Sequence, residues 1–232
     1  MLPAFERESG VKVNVVAVGS GQALELGRRG DADVLLTHSP AAETTFMDEG
    51  CGEKRRAVMH NDFVIVGPAD DRAGIKKART AAEAFKRIAG TQSAFVSRGD
   101  ESGTHQKEMG LWKESGVDPE GTWYLRAGAG MAQALRMAHE TKGYILCDRA
   151  TYLALKPEVE LIVLLEGDAR LLNRYSVITV NPARHPHVHR DDAGRFADFL
   201  VSPQGQGLIG AFGVERYGQP LFVPDAIGAG KP

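Results

Sequence analysis

The stretch Ser97-Arg98-Gly99-Asp100-Glu101-Ser102-Gly103-Thr104-His105 concentrates groups that donate hydrogen bonds. Arg98 offers a planar, permanently charged fork of N–H donors. Ser102 and Thr104 add hydroxyls, and Gly103 lets a ligand approach the backbone. An apolar run, Ala94-Phe95-Val96, comes before, and Met109 and Trp112 follow three apart, at helical spacing. The string therefore reads as a strand turning into a helix N-terminus. Unpaired backbone N–H groups and the helix dipole there favour an anion. A small oxyanion is the ligand that complements such a set of donors. An ordinary helix cap, with Arg98 paired to Asp100 or Glu101, is the plainer alternative. Asp100 is expected to orient Arg98 and not to touch the ligand, because a carboxylate repels a dianion.

Three more turns repeat the pattern. Gly19-Ser20-Gly21 lies between the alternating run Val11–Val18 and a helix expected from Gln22 to Arg29. His38-Ser39-Pro40 follows the buried run Asp33–Thr37, with Ser39 suited to the N-cap and Pro40 to the first helical position. Gly128-Ala129-Gly130 introduces a helix from Met131 to His139. Ser20, Gly21, Ser39 and Gly130 thus join Arg98, Ser102, Gly103 and Thr104 as candidate anion donors. Each of the added residues, taken alone, also reads as a simple helix cap.

The elements that must position these turns alternate along the chain. Leu2–Glu8 reads as a helix tail stopped by Gly10. Val11–Val18, Phe63–Val66, Ala94–Ser97, Trp123–Leu125, Tyr144–Cys147, Leu161–Leu165 and Tyr175–Val180 read as further strands. Thr80-Ala-Ala-Glu83 has capping-box spacing, and Met131, Ala134, Leu135 and Ala138 share one helical face. Asp148 caps a short helix through Tyr152, and Ser202-Pro203 opens the last helix. Strands alternating with helices predict an α/β fold with mostly parallel sheets.

At 232 residues the chain accommodates one large domain or two units of roughly 110 residues. A net charge of −2 points to neither nucleic acid nor an anionic membrane as partner. An anion site must then rest on local dipoles and one or two cations. Cys51 and Cys147 stand far apart and read as unlinked, reduced thiols. No run of 18 apolar residues exists, nor an apolar stretch with the flanks of a secretory signal. His185, His187 and His189 invite a metal reading, but no Cys or clear acidic ligand sits nearby, and a surface loop is the expectation. No enzyme constellation stands out. Ser102 lacks the G-x-S-x-G context, and no G-K-[ST] phosphate loop occurs. No catalytic residue, cofactor or side-chain metal site is assigned.

Four separated strings carry a resemblance: Phe95–His105, Asn61–Pro68, Asp148–Tyr152 and Gly213–Ala226. They resemble the tungstate-binding branch of the oxyanion-binding proteins of ABC importers, over nearly the whole chain. The resemblance implies the type II periplasmic binding fold, with two α/β lobes joined by crossing strands near Val64–Pro68 and Val177–Asn181. Lobe one would comprise 1–66 and 179–232, and lobe two 67–178. It further implies an oxyanion closed into the interlobe cleft, an ABC permease as partner, and a monomer. The full-length product would be periplasmic or extracellular, exported by a signal or tethered by a lipid. Phosphate-binding relatives place an Asp before an Ala-Pro pair where this chain has His38-Ser39-Pro40. A site of donors alone prefers a deprotonated anion, tungstate first, with molybdate, sulfate and phosphate as alternatives. A cytosolic oxyanion sensor and a hydrolase with Ser102 as nucleophile are the rivals from other classes. Members of the branch open with a Thr/Ser-rich strand, and Met1 matches the helix after it. The expectation is a sequence truncated at its start, with the 232-residue form poorly stable and weakly binding.

Overall fold

A computed structural model describes residues 1–100 and 102–226. In chain order the elements are α1 (Leu2–Ser9), α2 (Ser20–Arg29), β1 (Val34–Thr37), α3 (Pro40–Asp48), β2 (Gly52–Gly67) and α4 (Ala81–Gly90). Then come β3 (Phe95–Ser97), α5 (Gly103–Ser115), β4 (Tyr124–Arg126), α6 (Met131–Glu140), β5 (Ile145–Asp148), α7 (Arg149–Leu155) and β6 (Ile162–Leu165). The chain finishes with β7 (Leu172–Val180), α8 (Arg190–Val201), α9 (Pro203–Ala211), α10 (Val214–Tyr217) and β8 (Val223–Pro224). It divides into two units, Met1–His60 with Asn173–Pro232, and Asn61–Leu172. The divisions fall inside β2 and at the start of β7, so both strands run from one unit into the other.

In the first unit β1 pairs antiparallel with β7, and β2 pairs antiparallel with β8. Side chains alternate along β7. Ile178 packs with Leu24, Leu35 and Phe46 beneath α2 and α3, whereas Val177 packs with Val58, Ala197 and Leu200 on the other face. The sheet is thus covered by helices on both faces. In the second unit β2 repeats the device. Phe63 and Ile65 join an aromatic cluster of Phe85, Phe95, Trp112 and Tyr144, while Val64 and Val66 join Leu135, Cys147 and Tyr152.

Local signals set most boundaries. Gly10, Gly30 and Gly116 end α1, α2 and α5 in the left-handed conformation. Thr80 accepts from the Glu83 amide at 3.2 Å, and Asp148 accepts from the Thr151 amide at 2.8 Å. The face Met131, Ala134, Leu135 and Ala138 is the buried face of α6.

Three expectations need correction. Val11–Val18 is not a strand: no pairing holds it among the described residues, and Val15 and Val16 are 64% and 66% exposed. Alternation specifies which face a strand buries, but a strand also needs a neighbour to complete its hydrogen bonds. Second, β2 begins at Gly52, eleven residues before the run Phe63–Val66, behind a charged segment whose polarity hides it. Third, the sheets are mixed. β3 pairs parallel with β4 and a parallel bridge joins Phe95 to Tyr144, whereas β2 and β7 run against their neighbours β5 and β1.

Candidate functional site

In the second unit the candidate residues lie at the C-terminal ends of adjacent parallel strands, where α/β sheets hold ligands. β3 and β4 pair Phe95 with Tyr124, Val96 with Leu125, and Ser97 with Arg126; the Ala127 amide then donates to the Ser97 carbonyl at 2.9 Å. Each strand leads through a left-handed glycine, Gly99 at φ 61° and Gly128 at φ 58°, into the start of α5 or α6. A Cβ on Gly99 would lie 3.3 Å from the Arg126 Cβ and 3.7 Å from the Gly128 nitrogen. The backbone turns carrying Arg98 and Gly130 therefore lie side by side, as close as glycine permits.

Arg98 is mostly buried, with 18% of its side chain exposed, and its Nη2 pairs with Asp100 Oδ2. Its Nη1 lies 3.4 Å from Thr104 Oγ1, and its buried Nε has no hydrogen-bond partner among the described residues. Asp100 Oδ1 accepts from the Ser102 amide at 3.2 Å. Burial works to raise the Asp100 pKa, but hydrogen bonds from Ser102 and Arg98 outweigh it and hold the carboxyl below its ordinary value. Ser102 Oγ caps α5 by accepting the His105 backbone amide at 3.3 Å, and its hydroxyl also bonds the Asp100 carboxylate. The Ser102 amide is spent on Asp100; those of Gly103 and Thr104 come next, in the first turn, where position denies them an intrahelical acceptor. The alternative pairing of Arg98 with Glu101 lies outside the described residues.

Glu108, one turn beyond Thr104 on α5, is almost wholly buried. It accepts from Tyr124 Oη at 2.7 Å and Trp112 Nε1 at 3.2 Å. Burial raises its pKa, and these neutral donors offset only part of the shift.

In the first unit two turns come together. The His38 amide at the end of β1 donates to Ser20 Oγ at 3.2 Å, tying the start of α2 to the start of α3. A serine oxygen that accepts in this way still has its own proton to donate. The His38 ring is held by Asn173, Nδ1 to Oδ1 at 3.0 Å, and lies 4.9 Å from the Tyr175 ring. Ser39 occupies the N-cap of α3, as its sequence context predicts, but its side chain makes no capping bond. Its amide turns inward to Glu43 Oε1 at 2.9 Å, so the Ser39 hydroxyl is the group it can offer a ligand. Gly21 is exposed in the first turn of α2, whose N-cap, Gly19, has no side chain to bond the first amides.

The eight candidate residues thus fall into two sets, Ser20, Gly21 and Ser39 in one unit and Arg98, Ser102, Gly103, Thr104 and Gly130 in the other. Two buried acids that support these turns, Glu43 and Glu108, escape a sequence reading. Glu43 sits four residues after Ser39, one place beyond capping-box spacing, and Glu108 has no local signal at all.

The histidine run serves α2. His185 Nε2 lies 2.9 Å from the Arg28 carbonyl and His187 Nε2 3.0 Å from that of Gly30, so both rings bond the carbonyls at its C-terminal end. His189 Nδ1 lies 3.3 Å from Asp33. Among the described residues no group of three His, Cys, Asp or Glu side chains could hold a metal ion. Cys51 and Cys147 are free and buried, one in each unit. No helix among the described residues is long and apolar enough to cross a membrane.

Comparison with known proteins supplies the class. A sequence profile for the PBP superfamily domain matches residues 1–204. The tungstate-binding protein TupA of Desulfovibrio alaskensis G20 superposes with a TM-score of 0.89 at 42% identity, over 97% of this chain and 91% of that one. The tungstate ABC transporter structure from Geobacter sulfurreducens gives 0.76 at 49% identity, over 91% and 90%. These matches define the type II periplasmic binding fold of solute-binding proteins. In sequence, the tungstate-binding protein TupA of Peptoclostridium acidaminophilum is 46% identical over 228 residues, 97% of this chain and 80% of the relative. The chain belongs to the TupA-like family of periplasmic solute-binding proteins.

Proposed function

We propose that this chain binds one tetrahedral oxyanion, tungstate first among the candidates, with donors drawn from both units, and delivers it to the permease of an ABC importer. The observation that carries the reading is the Arg98 turn: a mostly buried guanidinium, two hydroxyls and helix-start amides at the ends of β3 and β4. The one carboxylate in that turn, Asp100, is already engaged by Arg98 and the Ser102 amide. Glu43 next to the Ser39 turn is fully buried and bonded inward, so it offers a ligand no acceptor. Such a donor set favours a deprotonated dianion over a hydrogen-bearing one. The names of the relatives favour tungstate.

Affinity would come from charge-assisted and dipolar hydrogen bonds, with Arg98 neutralising part of the charge and Asp100 orienting Arg98. Closure of the two units on the anion would give the permease a form to recognise, and the full-length product would act as an exported monomer, tethered by a lipid or a signal. Calorimetry against tungstate, molybdate, sulfate and phosphate tests the reading. One tungstate per chain should bind, with phosphate far weaker. Absence of tungstate binding by folded protein would refute it.

A further inference from the structure

Glu43 is fully buried, in the first turn of a helix that opens beside an exposed turn. A carboxyl group in that position is costly unless each oxygen is engaged. Its Oε1 takes two hydrogen bonds, from Thr37 Oγ1 at 2.9 Å and from the Ser39 amide at 2.9 Å. Arg55 Nη2 lies 2.7 Å from its Oε2, an ion-pair distance without aligned hydrogen-bond geometry. Arg55 is itself steadied by Ser176 Oγ, 3.3 Å from its Nε. Thr37 closes β1, Arg55 lies in β2 and Ser176 in β7, so one carboxylate gathers three strands under the Ser39 turn.

The consequence concerns the direction of the Ser39 hydroxyl. Pro40 has no N–H, so the amides at this helix start are fewer than usual, and the Ser39 amide is turned away to Glu43. With that peptide pinned inward, the Ser39 side chain is left at the cap without a capping bond. The neighbouring amide, of His38, is likewise spent on Ser20 Oγ. What this turn presents is a pair of hydroxyls whose backbone is locked from behind. We propose that Glu43 is a positioning residue for oxyanion binding: it never touches the anion, and it fixes the Ser39 peptide so that the hydroxyl is preset to donate. The proposal rests on the oxyanion reading and on Ser39 as a ligand.

The test is a double-mutant cycle on tungstate affinity with Ser39→Ala and Glu43→Asp, alongside Arg98→Ala. Glu43→Asp keeps the charge for Arg55 but withdraws the acceptor from Thr37 and the Ser39 amide by one methylene. Each of the two single variants should weaken binding by about tenfold, the scale of one hydrogen bond. The double variant should bind no more weakly than the weaker single, because Glu43 acts through Ser39. A purely structural role would instead give losses that multiply, or a melting-temperature change with affinity intact. Wild-type affinity in Glu43→Asp, or full multiplication, overturns the proposal. Should Glu43→Asp be unfolded at the assay temperature, Thr37→Val replaces it, leaving the ion pair in place, and the same outcomes decide. If Ser39→Ala binds normally while Arg98→Ala does not, the positioning proposal falls and the oxyanion reading stands. If neither weakens binding, the anion is held elsewhere and both the positioning proposal and the Arg98 site fall; only a wild-type chain that binds no tungstate would fail the oxyanion reading itself.

Discussion

Two turns in this chain look alike in sequence, a strand ending in Ser or Thr chemistry and opening a helix, yet they handle charge in opposite ways. At the start of α5 the cation is in the turn itself: Arg98 stands among Asp100, Ser102 and Thr104, and the buried acid behind it, Glu108, is met by the neutral groups of Tyr124, Trp112 and Ser97. At the start of α3 the turn holds hydroxyls and no cation. The positive charge is placed behind it, where Arg55 pairs with buried Glu43. On the proposed reading, the charge would come from the unit of Arg98, and the unit of Ser20 and Ser39 would add neutral donors. A dianion needs both, since two cations beside it would bind other anions as readily, and hydroxyls alone would leave its charge uncompensated.

That asymmetry predicts unequal losses. Arg98→Ala should cost about 2–5 kcal/mol of tungstate affinity, the range for removing one partner of a desolvated charged contact. Calorimetry reads the loss and circular dichroism checks the fold; Arg98→Lys, a charge without the fork, should fall between. In the other unit Ser20→Ala should cost only about 0.5–1.5 kcal/mol, the worth of a neutral hydrogen bond. Equal losses for the two variants would erase the division of labour drawn above.

The two buried acids should differ as well. Because the folded chain raises the Glu108 pKa, its protonated form is favoured in the native state. Its contribution to stability is then fully present below the ordinary carboxyl pKa and is lost as pH rises through the raised value. Glu108→Gln removes that loss, so its melting temperature should gain on the wild type in passing from about pH 4 to pH 8. A difference that does not vary with pH would mean Glu108 titrates normally. The smallest expected effect is away from both turns. His187→Ala removes a bond to the Gly30 carbonyl at the end of α2 and should lower stability by about 0.3–1 kcal/mol, with tungstate affinity untouched.

Much of this was legible in the chain itself. The buried face of α6 follows from Met131, Ala134, Leu135 and Ala138 spaced along one side, and the Arg98 string carries its own turn, cap and donors. Most of what escaped depends on partners distant in sequence. The alternation of Val11–Val18 says how a strand would face but not that one will pair with it. The charged start of β2 is polar because its arginines reach partners far along the chain, Arg56 to Asp198 and Arg55 to Ser176. Glu43 escaped although Thr37 and Ser39 lie close to it in sequence, because it sits one place beyond capping-box spacing; Glu108 escaped because Tyr124 and the groups that bury it are brought in by folding. The three histidines suggested a metal for the converse reason: their spacing is regular, but two of them bond carbonyls of a helix more than 150 residues away in sequence.

The central claim is that one anion takes charge from the Arg98 turn and neutral donors from the Ser20 and Ser39 turns. Crystals grown with tungstate and measured at the tungsten absorption edge test it directly. The account predicts one anomalous peak per chain, with oxygens within hydrogen-bonding distance of the Arg98 guanidinium and of at least one of the Ser20 and Ser39 hydroxyls. A peak served by one unit alone, or tungstate bound elsewhere on the chain, would contradict it.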